Sequence, residues 1–158
     1  MDNLVHATAI AIDGHGVLLV GPSGCGKSDL ALRLIDRGAM LVSDDAVPVN
    51  TNGDCPTISA APNIEGRLEV RNVGIIKLSY VQTAPLRLVV DLMNNNEDRL
   101  PDGALATIVA GYSIPLARLC PFEISAAIKV EFALREIVDA GQWPVAAMDI
   151  DRPEGKPN

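Results

Sequence analysis

The amino-terminal part of the chain contains Val17-Leu18-Leu19-Val20-Gly21-Pro22-Ser23-Gly24-Cys25-Gly26-Lys27-Ser28. Its first four residues are an apolar run of the kind found in buried strands. The remaining residues, 21–28, fit the pattern G-x-x-x-x-G-K-[ST], and we call them the glycine loop. A loop of this kind between a strand and a helix is a phosphate-binding arrangement, so the stretch predicts both a fold class and a site.

The glycine loop predicts binding of ATP with Mg²⁺. Glycines let the backbone curl so that successive N–H groups point at phosphate oxygens, and the helix that follows adds the positive end of its dipole. Lys27 can then bridge the β- and γ-phosphates, while the Ser28 hydroxyl can bind Mg²⁺. The predicted nucleotide-binding residues are Gly21, Pro22, Ser23, Gly24, Cys25, Gly26, Lys27 and Ser28. A glycine turn that binds nothing is the less favoured interpretation, because the helix dipole disfavours a cation such as Lys27 at a helix start.

The segments around the glycine loop predict an α/β unit. Residues 28–37 carry apolar side chains at helical spacing and end at Gly38, and residues 39–42 form a second buried-strand pattern. Residues 6–12 alternate small and apolar side chains before a turn at 13–16, which predicts a hairpin whose second strand is central. We therefore expect an α/β fold with a mixed sheet and flanking helices.

The later segments are less regular. Residues 50–64 are rich in polar and turn-forming side chains and predict a hairpin tip or mobile loop, whereas residues 86–92 predict a strand. A polar, turn-rich loop over 94–103 carries Arg99, and residues 124–138 fit either a helix or a strand followed by a helix. We expect one domain over residues 1–150 and a flexible tail over 151–158.

Composition limits the classes of function. The chain has 158 residues, 48% of them hydrophobic, which is enough for one sizeable core. A formal net charge of −7 argues against a nucleic-acid partner, and no apolar run is long enough to span a membrane, so we expect a soluble, cytoplasmic protein. The spacing of the three cysteines indicates neither a disulfide framework nor a zinc site. With five aromatic residues in all, a ligand site should depend mainly on polar and backbone contacts.

Two adjacent carboxylates, Asp44 and Asp45, follow the second predicted strand. Neighbouring side chains at a strand end project to opposite sides, so one can face Mg²⁺ and phosphates while the other faces the acceptor or a backbone amide. A carboxylate near Lys⁺ and Mg²⁺ stays ionised and can accept a hydroxyl proton. Either residue alone could instead simply turn the chain.

Two further candidates carry weak signals. A single histidine such as His6 is more often packed or exposed than catalytic. Glu69 and Arg71 share one face of an extended segment, and an ion pair on a solvated face explains them equally well.

The motif set favours a compact kinase among phosphate-loop proteins. The guanine-specifying pattern [NT]-K-x-D is absent, and the D-x-x-G of residues 13–16 precedes the loop, so a signalling GTPase is disfavoured. The chain is also short for a motor ATPase and lacks the long insertions of many nucleoside kinases.

Taken together, the residues that follow Lys27, with Asp44-Asp45 at their end, then the segment 64–76, then Asp98-Arg99-Leu100, resemble the catalytic domain of HPr kinase/phosphorylase. The resemblance extends over residues 4–138 in the family's order. It implies an α/β, P-loop kinase core related to phosphoenolpyruvate carboxykinase, assembled as a hexamer. It also implies transfer of phosphate from ATP, with Mg²⁺, to a seryl hydroxyl of an HPr-like phosphocarrier protein.

The same resemblance implies roles for single residues. His6 and Arg99 match the family's active-site histidine and arginine, and Lys27 matches the phosphate-loop lysine. Asp45 matches the residue that takes the seryl proton, and the expected metal site comprises Ser28, Asp44 and Glu69.

The sequence departs from the family pattern at three places. It resembles the short form, with no domain before the catalytic one. Asn72 stands where a glycine is expected, and Pro121-Phe122-Glu123-Ile124-Ser125-Ala126 stands where the family carries an arginine-containing loop associated with dephosphorylation. We therefore expect kinase activity with weak or absent phosphorylase activity. The alternatives are a P-loop kinase of a small molecule and a nucleotide-binding regulator that transfers no phosphate.

Overall fold

The computed structural model describes residues 3–92 and 105–147. In chain order the elements are β1 (Asn3–His6), β2 (Thr8–Ile12), β3 (His15–Val20), α1 (Lys27–Asp36), β4 (Met40–Ser43), β5 (Ala46–Asn50), β6 (Thr57–Ser59), β7 (Arg67–Val70), β8 (Gly74–Lys77), β9 (Thr83–Leu92), β10 (Ala106–Val109), β11 (Tyr112–Leu119), α2 (Ala126–Asp139) and β12 (Val145–Ala146). The predicted loop over 94–103, with Arg99, and the predicted tail over 151–158 lie outside the described residues, and the domain boundary stays a prediction.

Most of these strands belong to one mixed sheet. Its main path runs β1-β5-β6-β9-β3-β2-β4, while β11 pairs with β9 and continues through β10 and β12. The long strand β9 joins β1-β5-β6 to β3-β2-β4 in this sheet. Its residues Thr83–Pro85 pair with β6, and Leu86–Asp91 pair with β3. Strands β7 and β8 form a separate hairpin.

Four strands that point in one direction define the edge of the sheet that carries the site. Strand β3 pairs in parallel with β9, and β9 pairs in parallel with β11. Strand β4 also runs in the direction of β3, because each of them is antiparallel to β2, which lies between them. The carboxyl ends of β3, β4, β9 and β11 therefore meet at one edge, where ligands of open α/β sheets bind.

The strand after α1 is thus not the immediate neighbour of β3. The predicted strand–loop–helix–strand order is confirmed, but β2 separates the two strands, so Asp44 and Asp45 emerge one strand away from the glycine loop.

The first predicted strand is in fact two strands. Residues 3–6 pair with β5, whereas residues 8–12 pair with β3 and β4, and Ala7 separates the two ladders. The segment that pairs with these strands is interrupted at the same level, between the end of β4 and the start of β5. The prediction of a single strand over 6–12 was wrong in its first residue, because His6 belongs to β1.

Two apolar clusters fill the two faces of the central strands. One packs α1 and α2 against β3 and β9 through large buried side chains that include Leu19, Leu30, Leu34, Val90 and Val130. The other packs the β1-β5-β6 half against the β2-β3-β4 half and includes Leu18, Val42, Val47, Ile58 and Leu86. Strand β3 sends alternate side chains into both clusters, which is why its residues 17–20 are continuously apolar.

The ambiguous segment over 124–138 is a helix, α2, and no strand precedes it within that range. Its buried residues are Ala126, Ala127, Val130 and Leu134, a stripe at helical spacing that faces the same cluster as α1. The predicted hairpin tip after Asn50 is confirmed, because β5 and β6 are antiparallel neighbours.

The segment after α2 is attached to the sheet through Arg87 of β9. The Arg87 guanidinium stacks on the ring of Trp143, 3.6 Å from its centroid, and donates to the Gln142 carbonyl at 2.5 Å. Burial lowers the pKa of Arg87, yet the group keeps its charge at neutral pH, because a guanidinium is not deprotonated in proteins.

We expect Leu30→Ala to lower the free energy of unfolding by about 2–5 kcal/mol, because it leaves a cavity beneath α1 where Leu30 is fully buried. Urea denaturation measures the change. The matched control is Leu4→Ala on strand β1, whose side chain is 68% exposed and whose loss should change the free energy little. Equal effects of the two substitutions would contradict the packing described for α1.

Candidate active site

The glycine loop connects β3 to α1 as the sequence predicts. Gly24 and Gly26 have φ values of 80° and 103°, and this left-handed region is the conformation that glycine adopts without strain. Gly21 is required for space, because a Cβ atom there would lie 2.6 Å from the Cys25 sulfur. The loop is closed by the Cys25 amide, which donates to the Pro22 carbonyl at 3.1 Å.

Lys27 lies at the first position of α1 and folds back over the loop. Its ammonium donates to the carbonyl oxygens of Gly21 at 2.7 Å and Pro22 at 3.0 Å. The residue is buried, with 9% of its surface exposed, and its ammonium also lies 4.0 Å from the Cys25 sulfur. The cation is therefore inside the curve of the glycine loop, where the dipole of α1 alone would not favour it.

The Asp44 carboxylate joins three separate elements. Oδ1 accepts from the Thr8 hydroxyl of β2 at 2.9 Å and lies 3.4 Å from the Ser28 hydroxyl of α1. Oδ2 accepts from the backbone N–H of Glu69 in β7 at 3.2 Å. One half-buried carboxylate thus links strand β2, the start of the helix and the β7-β8 hairpin to the carboxyl end of β4.

The Asp45 carboxylate points away from that cluster, toward His6. Its Oδ1 lies 3.2 Å from His6 Nδ1, and both side chains are largely exposed. Asp45 has a φ of 70°, a conformation that aspartate and asparagine tolerate better than other side chains. The Ala7 amide donates to the Asp45 carbonyl at 3.3 Å, so the two strand interruptions are joined by a backbone hydrogen bond.

The structure brings together most of the residues that the sequence predicts for the site. Asp44 and Asp45 project to opposite sides, Ser28 approaches Asp44, and His6 approaches Asp45. Glu69 lies next to Asp44, although the recorded contact is made by its backbone amide. Arg71 follows the end of β7 and lies in a turn, and it therefore does not share the strand face with Glu69 that the sequence predicted.

The donors around Asp44 fit a Mg²⁺ ion. Mg²⁺ prefers hard oxygen ligands and is usually held by one or two carboxylates together with substrate phosphates and water. The Ser28 hydroxyl and the Asp44 carboxylate are such ligands, 3.4 Å apart beside the glycine loop. Over residues 3–92 and 105–147, no group of three or more His, Cys, Asp or Glu side chains is placed to hold a metal by itself.

Sequence reasoning missed Thr8. This buried hydroxyl holds Asp44, but it lies in an alternating apolar strand and carries no local signal. Only the register of β2 on β4, in which Ala9 pairs with Ser43, places Thr8 beside the first carboxylate. If the pairing of β2 with β4 were known, a threonine opposite the end of β4 would point to a partner for Asp44.

A glycine loop between a strand and a helix, with two carboxylates at the end of a strand two places away in the sheet, is an arrangement that suits a phosphorylated ligand. The family follows from comparison with known proteins. The sequence model of the HPr Serine kinase C-terminal domain matches residues 1–120, and the chain belongs to that family. The predicted resemblance is thereby confirmed.

The relatives found by sequence include proteins named HPr kinase/phosphorylase. That of Chlorobium phaeobacteroides is 35% identical over 72% of this chain, and that of Cupriavidus metallidurans is 36% identical over 85%. These alignments cover 37% and 45% of the two relatives, so the chain spans about two fifths of their length.

A solved structure supports the same relationship. The HPr(Ser) kinase/phosphatase from Coxiella burnetii superimposes with a TM-score of 0.72 and 25% identity, covering 88% of this chain and 96% of that one. The mixed α/β fold, with its predominantly β architecture, is therefore that of an HPr kinase structure. Within the described ranges, neither helix has the length and apolar character needed to cross a membrane.

We expect Asp44→Ala to lower the free energy of unfolding by about 1–3 kcal/mol, because the Thr8 hydroxyl and the Glu69 amide lose their acceptor. Urea denaturation measures the loss, and hydrogen exchange should be faster at the Glu69 amide. Asp54→Ala in the exposed β5-β6 loop is the control and should leave both unchanged. Unchanged protection of the Glu69 amide in Asp44→Ala would contradict the connecting role of this carboxylate.

Proposed function

We propose that this chain is an ATP- and Mg²⁺-dependent serine kinase of an HPr-like phosphocarrier protein. The observation that carries the proposal is the pair of carboxylates beside the glycine loop, one linked to Ser28 and the other free to meet an acceptor. Membership of the HPr kinase family and the names of the relatives support the choice of a seryl acceptor. We further propose that the core is a P-loop kinase core related to phosphoenolpyruvate carboxykinase.

The proposed transfer begins with the acceptor hydroxyl at Asp45. The seryl oxygen forms a bond to the γ-phosphorus as the bond from that phosphorus to the bridging oxygen of ADP breaks, and Asp45 takes the seryl proton. The exposed position of Asp45 suits this role, because the acceptor belongs to another protein and must reach the carboxylate from solvent. His6, 3.2 Å from Asp45, orients the carboxylate.

The remaining roles concern charge on the moving phosphoryl group. Lys27 would leave the carbonyls of Gly21 and Pro22 to meet the β- and γ-phosphates, and the loop amides would hold the rest of the phosphate chain. Ser28, Asp44 and Glu69 would hold the Mg²⁺ ion, which supplies positive charge at the phosphate oxygens. We assign Arg99 to the same charge-stabilising group on the basis of the family resemblance.

We propose that the phosphorylase reaction is weak or absent. Phosphorolysis needs a site for inorganic phosphate, and guanidinium groups are well suited to bind it. Residues 121–126 contain no Arg or Lys, whereas the family carries arginine in this loop. By family resemblance we also propose a cytoplasmic location and a hexameric assembly.

We expect Asp45→Asn to reduce transfer of label from [γ-³²P]ATP to a purified HPr-like carrier by about 10²- to 10⁴-fold, because the amide cannot accept the seryl proton. Asparagine tolerates the left-handed backbone of residue 45, so folding should be preserved. Asp54→Asn is the matched control and should retain full transfer.

The outcomes of that experiment separate the candidate functions. Full transfer by Asp45→Asn would remove the proton-acceptor role. Label that enters an added metabolite and not the carrier would favour a small-molecule kinase. Tight ATP binding without any product would favour a nucleotide-binding regulator.

We expect Ser28→Ala to raise the Mg²⁺ concentration for half-maximal transfer on the order of tenfold, because one hydroxyl ligand is lost. Titration of Mg²⁺ at fixed ATP measures the shift. Ser23→Ala in the same loop is the control, because the Ser23 side chain is exposed at the loop tip and its backbone amide is retained. Equal Mg²⁺ dependence in both variants would exclude Ser28 as a ligand.

A further inference from the structure

The turn between β11 and α2 exposes large apolar side chains. Phe122 is 64% exposed and Ile124 is fully exposed, although both follow a buried strand end at Leu119. Neither buried cluster includes Phe122 or Ile124, so two neighbouring large apolar side chains of this turn are left to solvent.

This turn is held in a fixed shape. Arg33 of α1 donates to the carbonyl oxygens of Pro121 and Glu123, the two residues that flank Phe122, with a distance of 3.3 Å for the second. The Glu123 carboxylate is paired with Lys129 of α2, and the Glu123 amide lies 3.4 Å from the Cys120 carbonyl. The Phe122 ring is therefore presented to solvent by a backbone that is fixed on both sides.

The same turn borders the glycine loop. A Cβ atom placed on Gly26 would lie 3.3 Å from Pro121 and 3.4 Å from a ring carbon of Phe122. The ring thus forms the side wall of the loop at the point where the loop enters α1.

The strand order gives a bound nucleotide a direction across this edge. Asp44 and Asp45 follow β4 on one side of β3, whereas Pro121 and Phe122 follow β11 on the other side. A triphosphate whose γ end meets the two carboxylates has its α end, and so its nucleoside, on the opposite side of the loop. That side is the one that Phe122 occupies.

We propose that Phe122 stacks on the base of the bound nucleoside triphosphate, an assignment that rests on the proposed function. The phosphate contacts supply most of the affinity, and the aromatic ring adds a face for any base. Stacking does not read the hydrogen-bonding edge of a base, so the site should accept purine nucleotides such as ATP and GTP with similar affinity.

The test compares ligands with and without a base. We expect Phe122→Ala to weaken binding of Mg-ATP by roughly 5- to 100-fold, measured by calorimetry, while binding of magnesium tripolyphosphate changes less than about twofold. Phe132→Ala is the matched control, because Phe132 is similarly exposed but lies in the second turn of α2, outside the turn that borders the glycine loop. Phe122→Trp should keep the affinity, and ATP should quench the new indole relative to the wild-type signal from Trp143.

Each other outcome overturns the assignment. If Phe122→Ala binds ATP as tightly as the wild type, or loses ATP and tripolyphosphate equally, the ring does not contact the base. If the wild-type protein binds tripolyphosphate and ATP with equal affinity, the adenosine part adds no binding free energy. The stacking role then fails, while the phosphate site is retained. If it binds neither ligand, the proposed function fails as well.

Discussion

The site depends on one half-buried carboxylate that three elements share. Asp44 has no apolar packing role, yet Thr8, Ser28 and Glu69 all direct a polar group at it. Because a buried donor without an acceptor costs free energy, the buried Thr8 hydroxyl holds β2 to the end of β4, and the contacts of Ser28 and Glu69 add the helix and the hairpin. The distance between the glycine loop and the carboxylates is thereby fixed before any ligand binds, which is the preorganisation that phosphoryl transfer requires.

The double interruption of strand pairing explains why two adjacent acids can have different roles. The ladders β1-β5 and β2-β4 are interrupted at the same level. The break lies at Ala7 in the β1-β2 segment and at Asp44-Asp45 in the β4-β5 segment. Within a continuous ladder, Asp45 would pair in register and could not turn toward His6. The left-handed backbone at residue 45 turns the chain instead, so that Asp44 is directed into the fold and Asp45 toward solvent.

Local patterns predicted the elements that local interactions determine. Strand β3, helix α1 with its end near Gly38 and strand β9 follow from apolar periodicity and glycine placement, and the motif of residues 21–28 marked the loop. The insertion of β2 between β3 and β4 and the role of Thr8 depend on long-range register, which a single sequence does not contain. The segment over 124–138 was ambiguous because a helix and a strand can both carry its apolar residues until packing against α1 selects the helix.

The position of the Lys27 ammonium has a consequence for selectivity. The ammonium donates to two carbonyl oxygens of its own loop and also lies 4.0 Å from the Cys25 sulfur, so an anion that enters must replace these contacts. A small monovalent anion offers too little in exchange, whereas a polyphosphate chain supplies several charged oxygens at once and also reaches the loop amides. Under the proposed function, the loop would therefore favour a polyphosphate over weakly charged solutes.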